Sequence, residues 1–552
     1  MPHAGRRLIQ ELEAQGASVL FTVPGESFLA ALDGVHDSSA IRPIICRQEG
    51  GASMMADAWG KLTGEPGICF VTRGPGAANA MSGLHIAQQD STPLIMFLGL
   101  PASETEDREA FQEIDTRGLF GTFVKWSTVI RDAARIPEYV SRAYHCALSG
   151  RQGPVVIGLP EDMLAGDGPG DDVALMPPAN VAEPAPRKAD MAALAERLAA
   201  AKQPLVIAGG SGWSAEVRDR LQRFADTHHV PLASSFRTQD FIDNTHAAYA
   251  GSVGIGLGPE LATAVRESDL LIAIGARLGE ITTGGYALIA PPAPQQPLVH
   301  VNPDPDELGQ VYRADIAIAA SAATFVDALA DMEPAAGAAA RAPYVARLHE
   351  AYLRTLEPVG VPGDVQLDAV IASLSKALPD DAIVTNGAGN YAAFLNRFYA
   401  YRGYRTQLAP TSGSMGYGLP AAIAAKLRSP ERTVVAFAGD GCFMMTCQEL
   451  ATAMQYELPV ITIVSNNGMY GTIRMHQERE YPSRVVATRL TNPDFAAFAE
   501  SFGGHGETVT RTEDFLAAFE RAQASKKPAV IDLKTDPEAI TPKQTLSDIR
   551  NR

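Results

Sequence analysis

Two short polar motifs, each placed directly after an apolar run, carry the strongest chemical signal in the chain. Gly439-Asp440-Gly441 follows the run 434–438, and Asn466-Asn467 follows the run 459–464. Both runs predict buried strands, and because ligands gather where parallel strands end, Asp440 and Asn467 are expected to meet at one sheet edge. A carboxylate, an amide oxygen and a nearby carbonyl suit Mg²⁺ bridging to phosphate. A lone Gly-Asp-Gly is more often a simple turn, but the second strand and the asparagine pair favour the metal site.

A second pair of motifs, far away in the sequence, centres on one carboxylate. Glu49 is followed by Gly50-Gly51, and the segment 72–79 is a Gly- and Pro-rich loop that opens a helix. A glutamate in an apolar setting has a raised pKa and can share a proton with a ring nitrogen. The alternative, an ordinary surface carboxylate, fits poorly with the glycine neighbours and with the apolar residues 44–46.

Together these motifs resemble the signature of thiamine-diphosphate-dependent enzymes. Over its whole length the chain resembles the acetolactate synthase/pyruvate oxidase group of that superfamily. The resemblance implies pyrimidine-binding, central and diphosphate-binding domains in that order. It also implies that thiamine diphosphate lies between the first domain of one subunit and the third domain of another. A homodimer is then the smallest active unit, and a homotetramer is expected by analogy.

The resemblance also assigns roles to residues of the cofactor site. Glu49 is the implied catalytic group, hydrogen-bonded to N1′ of the aminopyrimidine so that the 4′-nitrogen can remove the thiazolium C2 proton. Met415 is expected between the two cofactor rings, although a methionine is also common core filler. Asp440, Asn467 and the Met469 carbonyl are the implied metal ligands. The other implied cofactor-binding residues are Pro24, Thr72, Pro75, Asn79, Gly387, Ala388, Gly389, Asn390, Gly413, Gly439, Gly441, Cys442, Tyr470 and Gly471.

Further details favour the acetolactate synthase branch. Phe111 and Gln112 resemble the Phe-Gln-Glu of that branch, and Ser91 stands where benzoylformate decarboxylases carry an active-site His. We therefore expect decarboxylation of a small 2-oxo acid such as pyruvate, and ligation of the resulting enamine to a second carbonyl. The alternatives are a C–C lyase or hydrolase acting on a 2-hydroxy ketone or dione, a simple decarboxylase, and a cofactor-binding homologue without turnover.

Three departures from the family pattern concern flavin and substrate. Ile281 replaces the arginine that serves flavin and the acceptor carboxylate in the synthases, so FAD is expected to be absent. The alternative is a vestigial or altered flavin site, with which Gly209-Gly210 and His300 are compatible. His476 replaces their acceptor-selecting tryptophan, and Glu26 stands where relatives have a small residue beside the substrate. One of three other arginines could supply the missing cation, namely Arg73, Arg474 or Arg479.

The charge of Glu26 leaves several alternatives open. An ionised Glu26 about 4 Å from a substrate carboxylate would cost about 4 kcal/mol at an effective dielectric constant of ~20. Glu26 is therefore protonated, or points elsewhere, or the substrate is not a simple oxo acid. It equally fits the first turn of the following helix, where a negative charge is stabilising.

Length and patterning predict the domain organisation. The chain has 552 residues, of which 46% are hydrophobic, and this suggests three domains. Strand-like runs alternate with helix-like segments, as in doubly wound parallel α/β sheets. The predicted domains are 1–165, 188–335 and 365–536, followed by a C-terminal tail over 537–552.

Composition excludes some classes of binding partner. A net charge of −17 argues against nucleic acid and anionic membranes, and no run of 18 apolar residues predicts a membrane span. The five cysteines form no CxxC pair, which indicates reduced cysteines and a cytoplasmic protein. The expected partners are a small 2-oxo acid, a carbonyl acceptor and further copies of the chain.

Overall fold

Three six-stranded sheets, flanked by helices, make up an α/β architecture in which neighbouring strands are parallel. The structure is a computed structural model and describes residues 3–170 and 172–552. The strands of the first sheet are β1 (Val19–Thr22), β2 (Arg42–Ile45), β3 (Gly67–Val71), β4 (Leu94–Leu100), β5 (Trp126–Val129) and β6 (Pro154–Pro160). Their order across the sheet is β2-β1-β3-β4-β6-β5.

The other two sheets follow in chain order. The central sheet contains β7 (Pro204–Ala208), β8 (Leu232–Ser234), β9 (Tyr249–Ser252), β10 (Leu270–Ile274), β11 (Leu298–Asn302) and β12 (Ile316–Ala319), in the order β12-β11-β10-β7-β8-β9. The third sheet contains β13 (Ile383–Asn386), β14 (Gln407–Leu408), β15 (Val434–Gly439), β16 (Ile461–Asn466), β17 (His505–Val509) and β18 (Ala529–Lys534), in the order β14-β13-β15-β16-β18-β17. The third sheet thus repeats the order of the first.

Strand order locates the crevices in which such sheets bind ligands. In the first sheet the chain goes from β1 to β2 on one side and then to β3 on the other, and β13, β14 and β15 repeat this pattern in the third sheet. Ligands bind outside the carboxyl ends of strands at such a reversal of direction. The loops after β1, β3, β13 and β15 are therefore the candidates for binding.

Helices connect the strands and cover the sheets. The helices before the central sheet are α1 (Ala4–Ala14), α2 (Leu29–Asp37), α3 (Glu49–Thr63), α4 (Gly74–Asp90), α5 (Thr116–Phe120), α6 (Ile136–Leu148), α7 (Glu161–Ala165) and α8 (Lys188–Ala200). Those that follow are α9 (Ala215–His228), α10 (Pro259–Glu267), α11 (Ala322–Ala330), α12 (Ala342–Thr355), α13 (Leu367–Ala377), α14 (Tyr391–Phe398), α15 (Gly418–Arg428), α16 (Asp440–Phe443), α17 (Leu450–Gln455), α18 (Gly471–Glu480), α19 (Phe495–Ser501), α20 (Phe515–Ser525) and α21 (Leu546–Arg550).

The chain divides into two compact units. Unit 1 comprises Met1–Ala182 with Leu419–Pro430 and Thr446–Leu458, and unit 2 comprises the rest. Unit 1 contains the first sheet together with α17 and most of α15, which come from the predicted third domain. Unit 2 contains the central and third sheets.

The α/β class is confirmed, and the predicted strands form, with ends shifted by one or two residues at most. Six strands have no counterpart in the sequence prediction, namely β5, β8, β9, β12, β14 and β17. Five of these six lie at sheet edges. The edge strand β12 alternates between buried and exposed residues, so it lacks the continuous apolar run of a central strand.

Two features of composition also have structural counterparts. None of the five cysteines forms a disulfide among the described residues. In the same part of the chain, no helix has the length and apolar character needed to cross a membrane.

Candidate functional site

A cavity of about 270 Å³ opens in unit 2 where β13, β15 and β16 end. Ala388, Asp440 and Asn467 each lie within two residues of one of these strand ends and line it. The predicted cofactor-binding residues that line the cavity are Ala388, Gly389, Asn390, Gly413, Met415, Gly439, Asp440, Gly441, Cys442, Asn467, Met469, Tyr470 and Gly471. Gly387 comes directly before them, and its amide donates at 3.1 Å to the hydroxyl of Tyr391, which lines the cavity.

The Asp440 carboxylate is the most deeply buried charge in the cavity wall, with 2% of the residue exposed. Its Oδ1 accepts a hydrogen bond from the Gly441 amide at 2.8 Å, and its Oδ2 accepts one from the Gly468 amide at 2.9 Å. Asn492 Nδ2 donates to Oδ2 at 2.7 Å. Burial raises the pKa of this carboxyl group, and a bound cation would oppose that shift.

The donor atoms around Asp440 fit a hard cation. They are a carboxylate, the side-chain oxygen of Asn467, which accepts from the Met469 amide at 3.2 Å, and the Met469 carbonyl. Oxygen atoms of these kinds would suit Mg²⁺ rather than a thiophilic metal. No cluster of three or more His, Cys, Asp or Glu residues within residues 3–170 and 172–552 could hold a metal, as expected when a site has only one carboxylate.

Glycines leave the room that a phosphate needs beside the backbone. A Cβ atom on Gly441 would lie 2.5 Å from a ring carbon of Tyr470. Gly389 has a φ of +145°, and a Cβ there would lie 2.9 Å from the Tyr391 ring. Only glycine fits at these two positions, and it allows a ligand to approach the backbone closely.

The loop after β14 brings Gly413 and Met415 into the cavity. Gly413 has a φ of +69° and donates from its amide to the Pro410 carbonyl at 3.1 Å. Met415 is half-buried, and it both lines the cavity and packs against the core of the third sheet. This position is compatible with the predicted wedge and with the core-filler alternative.

The C-terminal tail forms a wall of the cavity that the sequence did not predict. Ala539 and Ile540 line it, and Asn390 Nδ2 donates to the Ile540 carbonyl at 2.9 Å. Ile540 is buried in a small apolar cluster with Met469, Met475, Leu546 and Ile549. The tail therefore packs on the loop that carries the predicted metal ligand Met469.

One buried glutamate anchors this tail. Glu478 of α18 accepts hydrogen bonds from both Arg474 and Arg550, with N–O distances between 2.6 and 3.0 Å. The Ser483 amide donates to the same carboxylate at 2.8 Å. Hydrogen bonds from Arg550 above all lower the pKa of Glu478 to about 2. Arg474, one of the candidate cations, is therefore engaged by Glu478.

In unit 1, Glu49 lies at the carboxyl edge of the first sheet. It is the first residue of α3, four residues beyond the end of β2, so a helix begins at Glu49. Asn79 Nδ2 donates to Glu49 Oε2 at 2.9 Å. The Gln48 side chain caps the helix by accepting from the Gly51 amide at 3.1 Å.

The remaining predicted residues of unit 1 lie around the same edge. Thr72 follows β3 and its hydroxyl lies 2.8 Å from the Ser27 hydroxyl, whereas Pro24 and Pro75 are exposed. The Gly74 amide donates to the Gln112 carbonyl at 2.9 Å. Phe111 is 72% exposed, so the loop that contains it presents an apolar ring at this edge.

Glu26 forms an ion pair with Arg73. Arg73 Nη1 donates to Glu26 Oε1 at 2.8 Å, and Arg73 Nη2 donates to Glu161 at 2.5 Å. Glu26 also begins a short 3₁₀ turn before α2, the first-turn position that the sequence left as one alternative. Because Arg73 is shared by two carboxylates, it is not available as an unshared partner for a substrate carboxylate.

A second carboxylate near Glu49 was missed by sequence reasoning. Glu449 is fully buried, and it accepts from the amides of Arg47 and Gln48 at 3.0 Å and from the Thr452 hydroxyl at 2.6 Å. Burial raises the pKa of this carboxyl group. Its position nine residues after Asp440 gives no signal of these contacts.

Two predicted specificity positions lie on exposed surface. His476 of α18 is exposed, with Arg479 Nη1 3.5 Å from its Nδ1, while Thr472 and Ile473 of the same helix line the cavity. Ile281 is 40% exposed in the turn that follows β10.

Comparison with known proteins identifies the family. Three successive models match the chain: thiamine pyrophosphate enzyme, N-terminal TPP binding domain, over residues 2–119; the central domain over 191–329; and the C-terminal TPP binding domain over 387–533. The acetolactate synthase large subunit of Corynebacterium glutamicum is 31% identical over 545 residues, covering 96% of this chain and 86% of that protein. The acetolactate synthase isozyme 2 large subunit of Escherichia coli is 30% identical over 534 residues, covering 96% and 95%.

The chain therefore belongs to the thiamine pyrophosphate enzyme family. It is a thiamine-diphosphate-dependent enzyme of the carboligase class, similar to acetolactate synthase large subunits. The predicted resemblance is thus confirmed at the level of family, fold and enzyme class.

Because Glu478 anchors the C-terminal tail, the stability of α21 is expected to depend on pH. Because the folded-state pKa lies below the ordinary value near 4.3, the stabilisation is complete above about pH 4.3 and is lost as the pH falls toward 2. Glu478→Gln is expected to lower the opening free energy of α21 at neutral pH by about 1.5–3 kcal/mol, as for hydrogen bonds to a charged group. Hydrogen exchange of α21 measures this, with the exposed Glu480→Gln as control. If the difference in opening free energy between wild type and Glu478→Gln stays constant as the pH falls toward 2, Glu478 does not anchor the tail through its charge.

Proposed function

We propose that the enzyme decarboxylates a small 2-oxo acid such as pyruvate and ligates the acyl unit that remains to a second carbonyl compound. The main support is the cavity at the ends of β13, β15 and β16, where a buried carboxylate, amide and carbonyl oxygens and close-packed glycines lie together. The relatives named acetolactate synthase make the same class of reaction the first choice for this chain. Thiamine diphosphate supplies a carbon nucleophile and an electron sink for the loss of CO₂.

The residues of this chain would hold and activate the cofactor. Glu49, oriented by Asn79, holds a proton at the position of the pyrimidine N1′. Asp440, Asn467 and the Met469 carbonyl would hold Mg²⁺, and backbone amides around Gly389 and Gly441 would donate to the diphosphate. The three sheets correspond in this proposal to pyrimidine-binding, central and diphosphate-binding domains.

We further propose that two copies of the chain share each active site, with Glu49 from one and Asp440 from the other, in a homodimer that assembles into a homotetramer. The support is the family pattern and the exposed Phe111 and Asn79 at the edge that carries Glu49.

Glu49→Gln tests the activation step. Glutamine keeps the shape of the side chain but cannot hold the proton, so turnover is expected to fall by roughly 10²–10⁴, the range for a positioned acid–base group. Deuterium exchange at the C2 position of bound thiamine diphosphate is measured beside turnover with pyruvate. Glu65→Gln, an exposed glutamate just after the same helix, is the control.

The same variant tests the sharing of sites. Mixed oligomers of Glu49→Gln with Asp440→Ala chains contain one composite site without either substitution, so mixing two inactive proteins is expected to restore part of the activity. If cofactor-loaded Glu49→Gln exchanges the C2 proton of thiamine diphosphate at nearly the wild-type rate, Glu49 is not the activating group. Absence of restored activity in verified mixed oligomers would contradict shared sites.

The metal site is tested by chelation and by Asp440→Ala. EDTA is expected to release the cofactor, and Mg²⁺ with thiamine diphosphate is expected to restore activity, because the site offers only oxygen ligands. Asp440→Ala should weaken Mg²⁺-dependent cofactor binding by about 100-fold or more, since even outer-shell partners of metal ligands contribute 10–100-fold. Equilibrium dialysis across a Mg²⁺ series measures this, with the exposed Asp380→Asn as control. Unchanged affinity in Asp440→Ala would place the metal elsewhere.

We propose that activity does not require FAD, because Ile281 lacks the cation of the synthase pattern. The purified enzyme is expected to show no stoichiometric flavin absorbance and to turn over without added FAD. The proposal is wrong if the purified enzyme contains stoichiometric flavin, if removal of that flavin abolishes activity, and if added FAD restores it.

The acceptor preference follows from the same missing cation. Arg73 is shared by Glu26 and Glu161, and Arg474 is engaged by Glu478. A site without an available guanidinium fork gives up a bidentate contact to an acceptor carboxylate. An uncharged aldehyde such as benzaldehyde is therefore expected to compete effectively with pyruvate as acceptor.

Chromatography of products formed from equal concentrations of benzaldehyde and pyruvate measures this preference. Arg479→Met tests the third candidate cation. Arg479 lies beside His476 and, unlike Arg73 and Arg474, forms no ion pair with a carboxylate among the described residues. Acetolactate in roughly hundredfold excess, lost in Arg479→Met, would show that Arg479 has replaced the missing arginine.

A further inference from the structure

An arginine that follows a strand of the central sheet contacts the loops beside the cavity of the third sheet, within unit 2. Arg237 follows β8, and only 7% of it is exposed. Its φ is +61°, a left-handed conformation that is unusual for a residue other than glycine. Nothing in the motifs of the first or third domain pointed to this residue.

The two ends of its guanidinium bind two different carbonyl groups. Nη2 donates to the Gly387 carbonyl at 2.9 Å, and Nη1 donates to the Pro410 carbonyl. Gly387 begins the loop after β13 that carries the Gly389 cradle. Pro410 precedes the loop after β14 that brings Met415 to the cavity. One side chain therefore ties together the starting points of two cavity loops.

Further contacts make these two loops part of one network. The Gly387 amide donates to the Tyr391 hydroxyl at 3.1 Å, and that hydroxyl lies 3.3 Å from Cys442 Sγ. The Gly416 amide donates to the same sulfur at 3.2 Å. The network thus runs from Arg237 through both loops to the residue two positions after Asp440.

Neighbours of Arg237 fix the loop from which it extends. The Asp240 carboxylate accepts from the amides of Thr406 and Gln407 at 3.0 and 3.2 Å. The Gln239 amide donates to Gln407 Oε1 at 2.8 Å. Because these buried bonds hold β14 against the same turn, Arg237 extends from a fixed base towards Pro410.

We propose that Arg237 is a positioning residue of the cofactor site: its planar guanidinium sets the spacing between the Gly387 loop and the Pro410 loop. The inference rests on the proposed function, in which these loops hold thiamine diphosphate. A guanidinium presents several N–H donors in a rigid fork, whereas the single nitrogen of lysine cannot reproduce two donors at fixed separation. The central sheet, which supplies no predicted cofactor ligand, then shapes the site through this side chain.

Two variants separate geometry from charge. Arg237→Lys keeps the charge without the fork, and Arg237→Met keeps much of the length without either. Affinity for thiamine diphosphate at saturating Mg²⁺ is expected to fall about tenfold in Arg237→Lys and up to about a hundredfold in Arg237→Met, as one or both charge-assisted bonds are lost. Arg218→Lys is the matched control, since Arg218 also joins the central sheet to a distant carbonyl, that of Arg402, but away from the cavity.

Hydrogen exchange of the cofactor-free protein provides a readout independent of the cofactor. In both Arg237 variants, exchange is expected to speed up in segments 387–390 and 411–416 and to stay unchanged in β16. Restoration of affinity in Arg237→Ala by millimolar guanidinium would support the same role, because guanidinium fills the vacated space and donates to both carbonyls.

The outcomes distinguish this inference from the proposed function. If the wild-type chain does not bind thiamine diphosphate, the proposed function fails, while the exchange experiment still decides whether Arg237 orders the two loops. If both variants fold, bind the cofactor within twofold of wild type and leave exchange in the two loops unchanged, the inference is overturned. A general loss of thermal stability with unchanged affinity would likewise assign Arg237 a purely structural role and overturn it.

Discussion

The burial of one carboxylate, Asp440, constrains the turns that follow β15 and β16 in the third sheet. A carboxylate removed from water must be compensated by hydrogen bonds or by a cation. Two backbone amides and Asn492 provide the hydrogen bonds, and all three must converge on the end of β15. That convergence fixes the turn after β16 through Gly468, and with it Asn467 and Met469. A cation suits the same place, because burial raises the pKa of the Asp440 carboxyl group and a positive charge would favour its ionised form.

Sheet topology explains why the candidate site residues gather at two sheet edges. The first and third sheets share one strand order, and in both the order reverses between their first and third strands. Loops diverge at a reversal and leave a crevice. Glu49, Thr72 and the Gly74 loop lie at that edge of the first sheet, and Asp440 with the Gly387 loop lies at that edge of the third. The central sheet has a different order, and Arg237, which contacts two loops beside the cavity, lies in the turn after β8 and not at the reversal.

Family membership and local chemistry answer different questions about this enzyme. The match of three thiamine pyrophosphate enzyme models fixes the cofactor class, but it does not fix the acceptor. In the proposed reaction, acceptor choice would depend on individual cations. Arg73 is held between two glutamates, and Arg474 and Arg550 share Glu478. In these ion pairs the arginines bind carboxylates of the protein and are not available to bind a substrate carboxylate. The tail that Arg550 anchors is one wall of the cavity, so the order of the tail and the shape of the site are linked.

The sequence by itself determined the α/β class, every central strand except β8, and the glycine, aspartate and asparagine positions of the cavity. These signals are local, since a buried parallel strand needs a continuous apolar run and a close backbone approach needs glycine. Edge strands such as β12 and β17 were missed because partial burial removes that run. Only the tertiary structure decided the partners of the buried charges. Asn492 lies 52 residues from Asp440, Gly387 lies 150 from Arg237, and Glu449 lies 402 from Arg47. Contacts over such separations depend on how strands are ordered and loops packed, which no local pattern of residues encodes.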